Sequence, residues 1–145
     1  MKFISHSAEE TRKFGKRLAE QALPGQIYAL NGNLGAGKTV FAQGFAQGLG
    51  VKDPVNSPTF TILQVYEDGR LPFYHFDVYR IEDPDEMEEI GFDDYLNGDG
   101  VCLIEWADEV RELLPKETIR ITIQRDREAG DDVRTITLKA PAEYN

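Results

Sequence analysis

The chain has one cysteine, one tryptophan and two histidines among 145 residues. The lone Cys102 excludes an internal disulfide. It lies in the apolar run Val101-Cys102-Leu103-Ile104, which reads as a buried thiol in a reducing cytosol. No apolar run approaches the roughly 18 residues of a membrane helix. Met1-Lys2-Phe3-Ile4-Ser5-His6 lacks the apolar core of a signal peptide, so a cytoplasmic location is expected. Basic residues are short as well: 16 Lys and Arg stand against 26 Asp and Glu, a formal net charge of −10. Such a surface repels nucleic acid at long range and offers little counterion release. Any nucleic-acid role is therefore expected to run through a partner, with no direct contact and no membrane; acidity that serves solubility alone is the plainer alternative. Linkers, repeats and low-complexity segments are missing too. At this length the expectation is a single α/β domain over residues 1–145, large enough for one core.

What is present begins with Gly32-Asn33-Leu34-Gly35-Ala36-Gly37-Lys38-Thr39, which fits G-x-x-x-x-G-K-[ST] at every fixed position. Gln26-Ile27-Tyr28-Ala29-Leu30 before it has strand length. Val40 to Leu49 after it reads as a helix ending at Gly50. Strand, glycine loop and helix are the context this motif needs to be a phosphate-binding loop rather than a glycine-rich turn. Glycines let backbone N–H groups turn inward around a phosphate chain, and the helix starting near Lys38 adds its dipole. Lys38 is expected against the β- and γ-phosphates and the Thr39 hydroxyl on Mg²⁺.

The rest of the chain reads as further α/β structure. Ser7-Ala8-Glu9-Glu10 has capping-box spacing and opens a helix to about Ala22, stopped by Pro24-Gly25. Residues 60–66 and 71–79 alternate and are joined by Glu67-Asp68-Gly69-Arg70, which predicts a hairpin. Asp83-Pro84-Asp85-Glu86 opens a helix that stops at Gly91, and a short helix near 93–96 follows. Residues 101–105 read as a buried strand, 107–114 as helical, and 118–124 and 133–139 as two final strands.

Three segments add chemistry. Ser57-Pro58-Thr59-Phe60 places a hydroxyl, Thr59, where nucleotide hydrolases often carry a segment that contacts the γ-phosphate; an ordinary proline turn is equally open. On a strand, His75, Asp77 and Tyr79 share one face. Asp77 would orient an attacking water or a metal-bound one, unless this is the solvated side of a two-stranded ribbon. Val101 to Ile104 ends in Glu105, a carboxylate for Mg²⁺ or the hydrolytic water, or else a surface acid. Trp106 would cover the nucleotide or meet a partner, or simply pack in the core.

Gly32–Thr39, Ser57-Pro58-Thr59-Phe60, His75-Phe76-Asp77-Val78-Tyr79-Arg80 and Ile104-Glu105-Trp106 occur in the order and spacing of one family. In these the chain resembles TsaE (YjeE), the small bacterial ATPase of tRNA threonylcarbamoyladenosine synthesis. The likeness covers nearly the whole chain, including Thr11 and Gly15 near its start and Arg134 near its end. It departs at Asn33, where many members carry Asp. The resemblance implies a phosphate-loop NTPase-like three-layer α/β sandwich, with a largely parallel central sheet and antiparallel additions. It implies ATP and Mg²⁺ as ligands and slow ATP hydrolysis alone, stimulated by docking on a TsaB–TsaD pair. TsaD in turn transfers a threonylcarbamoyl group to N6 of adenosine 37 in tRNAs that read codons beginning with A. The expected catalytic residues are Lys38, Asp77 and Glu105. The nucleotide would be held by Gly32, Asn33, Leu34, Gly35, Ala36, Gly37, Lys38, Thr39, Val40, Thr59 and Trp106. Thr11 and Arg134 would lie toward the adenine or ribose, and Thr39 and Glu105 would hold the metal.

Two alternatives come from other classes. A small kinase wants an arginine-bearing lid over the phosphates, and residues 81–110 contain no arginine. A nucleotide-dependent binding module would hydrolyse ATP only incidentally. Guanine specificity is disfavoured, since the chain has no Asn-Lys-x-Asp segment.

Overall fold

The structure, a computed structural model, describes residues 1–33, 35–55 and 62–141. Seven strands form one sheet: β1 (Lys2–Ser5), β2 (Ile27–Asn31), β3 (Leu63–Tyr66), β4 (Phe73–Asp77), β5 (Val101–Glu105), β6 (Ile119–Arg125) and β7 (Arg134–Lys139), in the spatial order β1-β7-β6-β2-β5-β4-β3. The four central strands, β6, β2, β5 and β4, run parallel; β7, β1 and β3 add antiparallel edges. The largely parallel sheet with antiparallel additions is thus as the sequence led one to expect.

Helices cover both faces because the central strands are apolar on both sides. Tyr28 and Leu30 of β2, and Val101 and Leu103 of β5, face one core with α1 (Ala8–Glu20) and α2 (Lys38–Gly48). Ile27, Ala29, Cys102 and Ile104 face a second core with α3 (Asp85–Glu89), α4 (Phe92–Leu96) and the 3-10 segment Ala107–Leu113. Cys102 is buried, as read.

The helix α1 begins as its capping box predicts: the Ser7 side chain accepts from the Glu10 N–H at 3.1 Å. The return bond goes one residue further back, from the His6 N–H to the Glu10 carboxylate at 2.6 Å. Three glycines then let α1 and α2 cross closely. A Cβ on Gly44 would lie 2.0 Å from the Arg12 carbonyl oxygen, one on Gly48 2.2 Å from that of Lys16, and one on Gly15 2.6 Å from that of Phe41. This crossing brings the first turn of α1 beside the phosphate loop.

Two expectations change. The hairpin of β3 and β4 is not a detached ribbon: β4 pairs in parallel with β5 and both its faces are covered. His75 is consequently fully buried, which excludes the alternative of a solvated side for this residue, while Tyr79 remains exposed. The edge strand β1 was not anticipated. It has four residues and no flanking turn signal, and its pairing with β7 comes from more than a hundred residues away.

Candidate active site

Gly35 and Gly37 adopt φ of +78° and +104°, the left-handed values that let a loop curl its N–H groups to one side. Gly37 caps α2, so Lys38 and Thr39 form its first turn. That helix end presents its first-turn N–H groups and a positive dipole toward the loop. Lys38 is nearly buried. Its Nζ donates to the Gly32 carbonyl and, at 3.4 Å, to that of Asn33, and it lies 3.5 Å from the centre of the Trp106 ring. Burial holds its pKa below the usual lysine value, while Glu105 and Asp77 oppose that shift.

Opposite the loop stand two carboxylates. Asp77 and Glu105 are register partners at the ends of β4 and β5, so the parallel pairing alone sets them side by side. Glu105 is 2% exposed, and its Oε2 lies 2.5 Å from Nε2 of His75. Glu105 is therefore no surface acid. Asp77 is half-buried. Its Oδ1 accepts from the Tyr79 N–H at 3.0 Å. Burial raises its pKa above the usual aspartate value and the Glu105 charge adds to this; the Tyr79 N–H and Lys38 work against it.

Trp106 closes the strand end. Its φ of +61° makes it the one non-glycine with a left-handed backbone among the described residues. Such a conformation costs on the order of 1–3 kcal/mol and persists where surrounding structure fixes it. Here the Trp106 N–H donates to Leu30 at 3.0 Å, and the Asn31 side chain accepts from the Asp108 N–H at 3.1 Å. The turn lays the indole over Lys38, with the Tyr79 ring centred 4.7 Å away. The ring also packs against the second core, so covering the cleft and packing are both true of it.

These groups line one cleft of about 470 Å³ with Ala8, Thr11, Asn33, Gly35, Ala36, Gly37, Thr39, Val40, Asp132 and Arg134. That volume suits a small-molecule ligand. Gly32 stands behind the loop and meets Lys38 through its carbonyl. Leu34 and the segment Ser57-Pro58-Thr59-Phe60, with Thr59, lie outside the described residues. Thr11 is buried and its hydroxyl meets that of Ser5 at 2.7 Å. The Arg134 guanidinium grips the loop itself, donating from Nε to the Ala36 carbonyl at 3.0 Å and from Nη2 to that of Gly35 at 3.3 Å. Ala8, Tyr79 and Asp132 were not among the expected site residues. The alternation His75-Asp77-Tyr79 carried a signal for Tyr79; nothing local marked Asp132.

The donor set fits a polyphosphate: loop N–H groups, an ammonium and a hydroxyl converge on one space. Among the described residues no group of three His, Cys, Asp or Glu forms a metal cage. Mg²⁺ keeps several waters and takes one or two carboxylates plus phosphate oxygens. Thr39 with Glu105 or Asp77 would serve.

The family model described as "Threonylcarbamoyl adenosine biosynthesis protein TsaE" matches residues 5–136. The chain belongs to the TsaE family. It is 52% identical over 140 residues to the "tRNA threonylcarbamoyladenosine biosynthesis protein TsaE" of Bacillus subtilis, covering 97% of this chain and 85% of that protein. It is 41% identical over 138 residues to the Treponema pallidum protein of the same name, covering 95% and 99%. Among solved structures, the one titled "Crystal structure of Bacillus subtilus YdiB" superposes with a TM-score of 0.83 at 46% identity, over 97% of this chain and 84% of that one. The resemblance read from four motifs is thus a family membership.

Proposed function

We propose that this TsaE-family chain binds ATP with Mg²⁺ and hydrolyses it in support of tRNA threonylcarbamoyladenosine synthesis, acting on a TsaB–TsaD pair. The observation that carries the reading is one cleft in which Lys38 and Thr39 of a phosphate loop face Asp77 and Glu105. The names of the relatives support the pathway. A tRNA-modifying role is compatible with the cytoplasm, and no described helix is long and apolar enough to cross a membrane.

The loop N–H groups between Gly35 and Thr39 bind phosphate oxygens. Lys38 exchanges its contacts with the Gly32 and Asn33 carbonyls for the β- and γ-phosphates. Its present partners are neutral carbonyls and a ring face, so an anion offers it more. Mg²⁺, when bound, supplies positive charge where the phosphate oxygens gain negative charge. Thr39 and Glu105 would hold it. Asp77, whose pKa is raised by burial, is suited to accept a proton from a water aligned on the γ-phosphate. Tyr79 and Trp106 screen that water from bulk solvent. Thr11 and Arg134 shape the opposite rim.

The test counts modified tRNA per TsaD over several cycles, with this protein, without it and with Lys38→Ala. We expect sustained modification and raised ATP turnover only with the intact protein. Full multiple-turnover modification without it, or with the Lys38→Ala form, overturns the coupling.

A further inference from the structure

No step assigned to the cleft uses His75, yet its ring is fully buried and bonded to a residue that lines the cleft. His75, Asp77, Leu103 and Glu105 lie on the same face of the sheet by strand parity, with His75 opposite Leu103 and Asp77 opposite Glu105. The imidazole is therefore one diagonal step from Glu105. The Phe73 ring stacks on it at 5.6 Å and 11° between planes, fixing its tilt. Nε2 meets Glu105 Oε2 at 2.5 Å, and the buried Nδ1 has no hydrogen-bond partner among the described residues.

With a neutral imidazole two arrangements are open to this pair; a cationic ring would carry a hydrogen on both nitrogens. Either Nε2 carries the hydrogen and donates to the carboxylate, or Nδ1 carries it and Nε2 accepts from a carboxylic acid. The second leaves a buried N–H with no acceptor, whereas the first leaves only a lone pair. Orphaned buried donors are the rarer and costlier case. The geometry points to the first. We propose that His75 is a positioning residue for Glu105: its Nε2–H holds one carboxylate oxygen and so fixes the rotamer in which Glu105 meets the metal or water beside Lys38. This deepens the ATP-hydrolysis reading of the cleft and rests on it. Partners of this kind, acting through a metal-facing group, typically change affinity or activity by about 10–100-fold when removed.

The chain has two histidines, exposed His6 and buried His75, so imidazole ¹⁵N signals are readily assigned. In the ligand-free protein we expect the His75 signals of the Nε2–H tautomer. For function, His75→Phe keeps the ring stack without the donor, and His75→Gln returns an amide N–H near the place of Nε2. We expect His75→Phe to lower kcat for ATP by about 10–100-fold, with metal-free ATP affinity within about threefold of wild type and most of kcat regained in His75→Gln. An Nδ1–H tautomer overturns the proposal, and does so whether or not the protein hydrolyses ATP. So does wild-type kcat in His75→Phe, or a His75→Gln form no better than His75→Phe. If His75→Phe does not fold, His75→Asn replaces it, since its amide sits where Nδ1 was and falls short of Glu105; wild-type kcat there is equally fatal. A wild-type protein that binds no ATP would instead sink the reading of the cleft, leaving the tautomer to decide the pair.

Discussion

The phosphate loop draws its chemistry from consecutive residues and their backbone, whereas the wall facing it draws on side chains from two strands about thirty residues apart. Gly35 and Gly37 shape the loop by φ alone, and Lys38 and Thr39 follow at once on α2. Asp77 and Glu105 meet only because β4 and β5 pair in parallel in a given register. A one-residue slip of β4 against β5 would send Asp77 to the other face and part it from Glu105. The loop is thus a local device and the carboxylate wall a global one. Binding is expected to depend on the first and turnover on the second.

The largest expected effect tests that division directly. Lys38→Ala should remove measurable ATP binding. Glu105→Ala should leave nucleotide affinity within about tenfold while lowering Mg²⁺-dependent turnover on the order of 10²-fold, the usual scale for removing a group that stabilises charge in the transition state. Calorimetric titration with ATP and single-turnover hydrolysis read the two separately. If both variants lose binding alike, the walls do not divide the work.

The same division explains what could be read in advance. The loop was legible because eight adjacent residues spell it and both flanks agree. Strand β5 was legible as an apolar run ending in an acid, and α1 through Ser7 and Glu10. For His75 the sequence leaves a functional face and a solvated ribbon face both open, because alternation alone cannot tell an edge hairpin from a strand covered on both sides. Its bond to Glu105 follows from strand order, which no local pattern contains. Arg134 was placed toward the adenine or ribose by resemblance; the structure shows it bound to the carbonyls of Ala36 and Gly35. Its seat on β7, beside the loop, arises because β7 joins β6 two strands from β5.

A smaller effect sharpens the comparison at that residue. Arg134 lends the loop a side-chain brace from a distant strand, so the local device is not wholly local. Arg134→Ala removes two hydrogen bonds to loop carbonyls. A charged donor to a carbonyl is worth about 1.5–3 kcal/mol, less where water can substitute, so ATP affinity should fall by about tenfold. Arg134→Lys should recover little, because one ammonium cannot span both carbonyls as the guanidinium does. Titration with ATP decides. Unchanged affinity in Arg134→Ala would show that the glycines hold the loop unaided.

The smallest effect is one of stability and belongs to the carboxylate wall. Burial and the neighbouring Glu105 raise the Asp77 pKa above its ordinary 3.8. An acid with a higher pKa when folded holds its proton more tightly in the folded state. Stability from this group is therefore greatest below the unfolded value and falls as pH rises through the folded one. At neutral pH the ionised Asp77 is therefore expected to cost some folding stability. Asp77→Asn keeps an oxygen to accept from the Tyr79 N–H and removes the charge. It should match or exceed wild-type stability at neutral pH, and its advantage should shrink on acidification toward about pH 4. Urea unfolding of both proteins across that range measures the difference in slope. Asp77 is half-exposed, so solvent screening keeps the effect below about 1 kcal/mol. An Asp77→Asn protein less stable than wild type at neutral pH would mean that attraction to Lys38 outweighs burial. The two walls would then brace each other in the ligand-free protein as well as sharing a cleft.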